Sequence, residues 1–149
     1  LFRLAQTFGA VIEGYTPDER AAAHLAEFNG TVRTLSHPGA APDIAGDPWT
    51  AFILLFHDRD WEDALLPGLL NLPGMYFGAI GSRRTHAGRL ERLRELPIGA
   101  AALSRLNGHI GLIPATRDPA TLALSILAEV VASYTSVCRV EVRSPASAD

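Results

Sequence analysis

The chain has 149 residues, the length of one domain, and can bury roughly 70% of the surface that its unfolded form exposes. With 48% hydrophobic residues, 19% charged residues and a formal net charge of -3, it has neither the polarity of a disordered chain nor the basic excess of a nucleic-acid binder. A single cysteine, Cys138, permits no internal disulfide and no cysteine-rich zinc site, which fits a reducing cytoplasmic setting.

The first residues, Leu1 to Phe8, place Leu1, Leu4, Ala5 and Phe8 on one helical face, and no capping residue precedes them. Gly9 closes that helix, and Ala10 to Glu13 is expected to be a short strand. In Thr16-Pro17-Asp18-Glu19, Thr16 is placed as N-cap, Pro17 as first helical residue and Glu19 as reciprocal partner. The helix then runs to about Phe28, where Asn29-Gly30 stops it. Thr31 to Leu35 is β-branched enough for a strand, and Ser36 to Pro48 has the composition of a surface loop.

Thr50 to Phe56 is apolar without alternation, the pattern of a strand covered on both faces and hence of a parallel sheet. His57-Asp58-Arg59-Asp60 follows at its carboxyl end, where open α/β sheets bind ligands, and Asp60 is placed to cap the helix Trp61 to Leu70. Met75 to Ile80 is a second buried strand. Its helix, Ser82 to Leu96, turns Ala87, Leu90 and Leu93 inward and Arg89, Arg92, Arg94 and Glu95 outward. A short helical piece around Ala100 to Leu106 precedes a loop from Asn107 to Arg117. Asp118-Pro119 opens a core helix carrying Ala123, Ile126, Leu127, Val130, Val131 and Tyr134, Val137 to Val142 is expected to be a last strand, and the Ser-Pro-Ala-Ser tail frays. The stretch from Leu122 to Val137 contains Ser125, Glu129, Ser133, Tyr134, Thr135 and Ser136, so no membrane span is expected. No internal repeat or signal peptide is visible. These elements predict a three-layer α/β domain with a mainly parallel sheet.

The passage Met75-Tyr76-Phe77-Gly78-Ala79-Ile80-Gly81-Ser82-Arg83-Arg84-Thr85-His86 runs from a strand through two glycines into a charged helix. Glycines let a backbone approach a ligand closely, and the first amides of a helix are unpaired donors at the positive end of its dipole. Ser82 is placed as N-cap, while Arg83 and Arg84 add guanidinium groups that suit phosphate or carboxylate. Gly78, Gly81, Ser82, Arg83, Arg84 and His86, with His57, Asp58 and Arg59 from the neighbouring strand end, form the candidate anion site. The plain alternative makes the glycines a turn, the arginines solvated and His57-Asp58 a helix cap. Gly108-His109-Ile110-Gly111 either approaches a ligand or forms a tight turn. The five histidines lack metal-binding spacing, no acid pair is arranged for hydrolysis and Ser82 lacks a nucleophile-elbow motif, so no catalytic or protein-held metal residue is assigned.

Phe52-Ile53-Leu54-Leu55-Phe56-His57-Asp58, Tyr76 to His86 and Pro119 to Ala132 together resemble the XdhC/CoxI family of xanthine dehydrogenase accessory proteins. The resemblance implies a carboxyl-terminal Rossmann-like domain covering nearly the whole chain, with the family's first strand and glycine-rich turn falling before Leu1. It implies a role in binding molybdenum cofactor (molybdopterin), an anionic pterin phosphate, and passing it to a molybdenum hydroxylase such as xanthine dehydrogenase, with a sulfurtransferase as a further partner. The sequence departs from the family pattern at Glu13-Gly14-Tyr15, where only Glu13 could serve as a ribose-binding carboxylate, and at Gly111-Leu112-Ile113-Pro114-Ala115-Thr116, where Ile113 replaces an acid. The competing expectation is an NAD(P)-binding oxidoreductase-like domain with pyrophosphate in the same corner, and a third is a protein-interaction module without ligand. An exposed sheet edge would also suit a homodimer.

Overall fold

The computed structural model describes residues 1–143 except Asn29, Ala41, Ala115 and Arg117. Asn29 as a helix stop, Ala41 of the predicted loop from Ser36 to Pro48, Ala115 within Gly111 to Thr116, Arg117 at the end of the predicted loop from Asn107, and the frayed tail therefore lie outside the described residues. The elements are α1 (Phe2–Thr7), β1 (Glu13–Thr16), α2 (Glu19–Ala26), β2 (Thr31–Thr34), β3 (Ala51–Leu54), α3 (Arg59–Leu69), β4 (Tyr76–Ala79), α4 (Arg83–Arg94), α5 (Ala100–Leu103), β5 (Leu106–Gly108) and α6 (Pro119–Arg143). All pairings are parallel: β1 with β2, and β3 with β4 and β5 in that order.

Two apolar clusters on opposite faces of β3 and β4 explain the three layers. Phe52 and Leu54 of β3 and Phe77 and Ala79 of β4 face α3, α4 and α5 through Leu65, Leu66, Leu69, Leu93 and Leu103. The alternate residues Ala51, Ile53 and Tyr76 pack with Ile126 and Val130 of α6. Because successive strand side chains point to opposite faces, a strand buried on both sides must be apolar throughout, which is why neither run alternates. Every residue of β4 is buried. The Phe52 and Phe77 rings stack with centroids 5.0 Å apart across the strand pair.

The first half has its own logic. Gly9 ends α1 with φ of +89°, and Phe2 lies where any side chain at Gly14 or Gly30 would stand, so α1 packs directly on the backbone around β1 and β2. The strand predicted at Ala10 to Glu13 begins instead at Glu13. The α2 cap is Asp18, whose Oδ1 accepts from the amides of Arg20 and Ala21, whereas Thr16 Oγ1 accepts from Asp18. Asp18 supersedes the predicted Thr16 cap because Thr16 is still paired in β1 with Thr34.

The predicted strand from Val137 to Val142 is helical, for α6 continues unbroken to Arg143. Its β-branched residues favour a strand only weakly, and nothing among the described residues pairs with them. A missed strand, β5, occupies the first part of the predicted loop from Asn107. By length and composition α6 could cross a bilayer. It is nevertheless tied into the domain: Ser125 Oγ accepts from the Ile113 amide at 2.7 Å, and Glu129 accepts from Tyr76 Oη at 3.0 Å and from the Gly111 amide.

Candidate functional site

The carboxyl ends of β3 and β4 release the chain toward α3 and α4, so two helix N-termini open side by side at one edge of the sheet. Asp58 caps α3, its Oδ1 accepting from the Asp60 amide at 2.9 Å. Asp60, the expected cap, instead lies in the first turn, because the helix starts earlier than the apolar pattern indicated. Ser82 caps α4 as expected, with its Oγ accepting from the Thr85 amide at 3.1 Å. The turn between β4 and α4 is fastened to β3 by the Ile80 amide, which donates to the Leu54 carbonyl at 2.9 Å. Gly81 then takes φ of +152°, a conformation glycine adopts without strain.

Between α3 and α4 lies a cleft of about 510 Å³ whose lining includes Arg59, Glu62, Arg84, Thr85, Glu91 and Arg92. Arg59 and Arg84, taken from the two separate sequence runs, thus meet in one cleft. Neither forms an ion pair among the described residues, and both are exposed. Arg59 and Arg84 offer guanidinium charge at this cleft beside two helix N-termini, opposed by the carboxylate of Glu91 on α4 and by Asp60 and Glu62 in the first turn of α3, and the volume falls in the range of small-molecule sites. Arg83 is also exposed but does not line this cleft.

The other candidates sit around that centre. His57 is exposed in the segment before α3, and Asp58 is occupied as a cap. Gly78 lies inside β4, where a side chain would collide with Tyr76 and Ile110, so its smallness serves the sheet face under α6. His86 points away from the cleft toward β5. Its ring lies against the Gly108 backbone so closely that a methyl group there would overlap it, and its centroid is 6.1 Å from that of His109. His86 Nδ1 is buried without a hydrogen-bond partner among the described residues. Burial first, then the charges of Arg89 and His109, hold the His86 imidazole below its usual value of 6.5. His109 itself adopts a left-handed backbone, φ +47°.

The largest departure from expectation is beneath the site. Arg89 and Arg92, placed outward by helical spacing, bridge α4 to α3. Arg89 is completely buried and donates through Nε and Nη2 to Glu62 at 3.0 and 2.6 Å, while Nη2 also donates to the Ile80 carbonyl at 2.8 Å. Arg92, half-buried, pairs with Asp63 at 2.9 Å and with Glu62 at 3.4 Å. Glu62 is buried too. A charge on an otherwise apolar face was the available signal: Glu62 lies three, four and seven residues before Leu65, Leu66 and Leu69 on α3, and Arg89 lies one turn before Leu93 on α4.

With the geometry established, comparison with known proteins assigns a lineage. Residues 1–130 match the family description "XdhC Rossmann domain". The chain belongs to this family. It is also 37% identical over 123 residues to the molybdenum cofactor insertion chaperone PaoD of Escherichia coli strain K12, a match spanning 80% of this chain and 38% of PaoD. A crystal structure described as a xanthine dehydrogenase from Bacillus halodurans superposes with a TM-score of 0.73 at 19% identity, covering 99% of this chain and 40% of the other. That likeness shows the Rossmann-like fold. The chain spans about two-fifths of the length of these proteins.

Proposed function

We propose that this XdhC Rossmann domain seats the anionic part of molybdenum cofactor during maturation of a molybdenum hydroxylase such as xanthine dehydrogenase, in the cytoplasm and without catalysing a reaction of its own. The observation that carries this reading is the cleft in which unpaired Arg59 and Arg84 flank the N-termini of α3 and α4. Its donors suit a phosphate: guanidinium groups offer paired hydrogen bonds, and the helix amides are fixed in place before the ligand arrives. The likeness to PaoD, whose name describes insertion of this cofactor, supports molybdenum cofactor as the source of the anion. When bound, the cofactor would supply the redox metal to the recipient enzyme, while this chain would only bind, orient and release it.

The strand edges support a larger assembly. On this reading β1 and β3 each keep one unpaired edge among the described residues, and a further parallel strand leading into α1 would join the five strands in one sheet. The same edges would admit a second copy, giving a homodimer, and a sulfurtransferase would act on the seated cofactor. A dinucleotide has less support. Glu13 stands at the amino end of β1, opposite the edge where a ribose would lie, and its carboxylate accepts from Tyr15 Oη at 2.7 Å.

Fluorescence titration of the full-length protein with isolated molybdenum cofactor, NAD and NADP tests the assignment. Preference for the cofactor, competed by pyrophosphate, is expected. Preference for NAD or NADP would replace the proposal with the dinucleotide reading.

A further inference from the structure

We propose that Arg89 and Glu62 are a positioning pair for this anion seat: the buried guanidinium grips the Ile80 carbonyl, sets the Gly81 turn and thereby aims the free amides of the first turn of α4. This rests on the reading of the cleft as an anion seat.

The geometry places every required contact within one short segment. Ile80 is held from two sides, its amide donating to Leu54 of β3 and its carbonyl accepting from Arg89 Nη2 at 2.8 Å. Gly81, next in the chain, passes directly over the guanidinium, since a side-chain carbon there would lie 3.5 Å from Nη2. Ser82, next again, caps α4. Arg89 reaches this point from within the helix whose start it fixes, so the amide donors and the group that orients them share one rigid element.

Stability alone does not call for such a pair. A buried ion pair gives up so much solvation that apolar residues of similar volume serve a core as well or better. Moreover, Arg89 Nη1 is buried with no partner among the described residues, an unmet donor that a packing role would have no reason to keep. An apolar side chain could fill the space but could not hold a carbonyl. Glu62 is then necessary to neutralise the guanidinium, and its Oε2, which accepts from Arg89 Nε, also pairs with Arg92.

The test compares full-length wild type with Arg89→Met, Arg89→Lys and the double variant Arg89→Met/Glu62→Leu. Arg89→Met should melt at lower temperature because it strands Glu62, and the double variant should recover most of that loss. In the ligand-free double variant, amide hydrogen exchange across residues 80–86 should nevertheless be about tenfold faster than in wild type, with α6 unchanged. Its affinity for pyrophosphate should fall about tenfold. Arg89→Lys keeps the charge and one donor, so it should fold normally and recover part of the protection. Wild-type exchange across 80–86 in the folded double variant, or exchange there about tenfold faster than wild type in a folded Arg89→Lys, would overturn the proposal, and either result decides it if the other variant fails to fold. If Arg59→Ala/Arg84→Ala left pyrophosphate binding intact, the anion seat would fail, while the ligand-free exchange measurement would still decide the role of Arg89.

Discussion

Gly108 shows how a single position can control the packing of a side chain on α4. Its backbone is the floor on which the His86 ring lies, so Gly108→Ala should cost about 1–3 kcal/mol through overpacking, seen as a lower thermal midpoint. His86 makes a separate prediction about pH. Its folded-state proton affinity is depressed by burial, Arg89 and His109, so the unfolded chain binds the proton more readily as pH falls through 6.5. Stability contributed by neutral His86 is therefore complete above that value and declines below it, levelling off under the lowered folded value. Thermal melts between pH 7.5 and 5 should show a decline that is smaller in His86→Asn. Equal slopes for the two proteins would contradict the assignment. At this scale the sequence was readable where a residue's role is local: Ser82 caps α4 as its type and position indicate. At Arg89 the only signal was a charge one turn from Leu93, and its partner was not readable, because helical spacing gives a face but not what the facing helix presents, and Glu62 is far away in sequence.

The helices α3 and α4 carry most of the site because both begin at the same sheet edge. Ser82→Ala should cost about 1 kcal/mol, typical of a lost N-cap, and should weaken anion binding by loosening the first turn of α4. Calorimetric titration with pyrophosphate, alongside thermal melts, checks both effects, and a stability loss with unchanged affinity would confine Ser82 to capping. The existence and type of β3, β4 and the helices that follow them were legible, with ends placed to within two residues, since a strand buried on both faces and a charged helix differ sharply in composition. They were not legible for β5. Its three residues, Leu106–Gly108, carry too little pattern, and its existence depends on pairing with β4. The end of α6 misled for the opposite reason: the β-branched run there resembles a strand, yet the helix simply continues.

Across the molecule, the parallel order of β3, β4 and β5 brings three strand ends to one edge, and the apolar clusters on both faces fix that edge against α3, α4 and α6. The fold class followed from the two unalternating runs and the helices between them. The grouping of Arg59 with Arg84 followed from placing the two strand ends side by side, as β3 and β4 are, but which of the nine candidates line the cleft did not, because that depends on how α3 and α4 pack. Ligand binding there should stabilise the whole domain, by about 2.7 kcal/mol at a hundredfold excess over Kd, and so raise the melting temperature. The decisive measurement is titration of isolated molybdenum cofactor into the full-length protein and its Arg59→Ala/Arg84→Ala variant. The expected result is an affinity about tenfold or more lower in the variant, at about 1.5–3 kcal/mol for each lost charged hydrogen bond, with an unchanged melting temperature in the absence of ligand. Equal affinity in the two proteins would contradict the account.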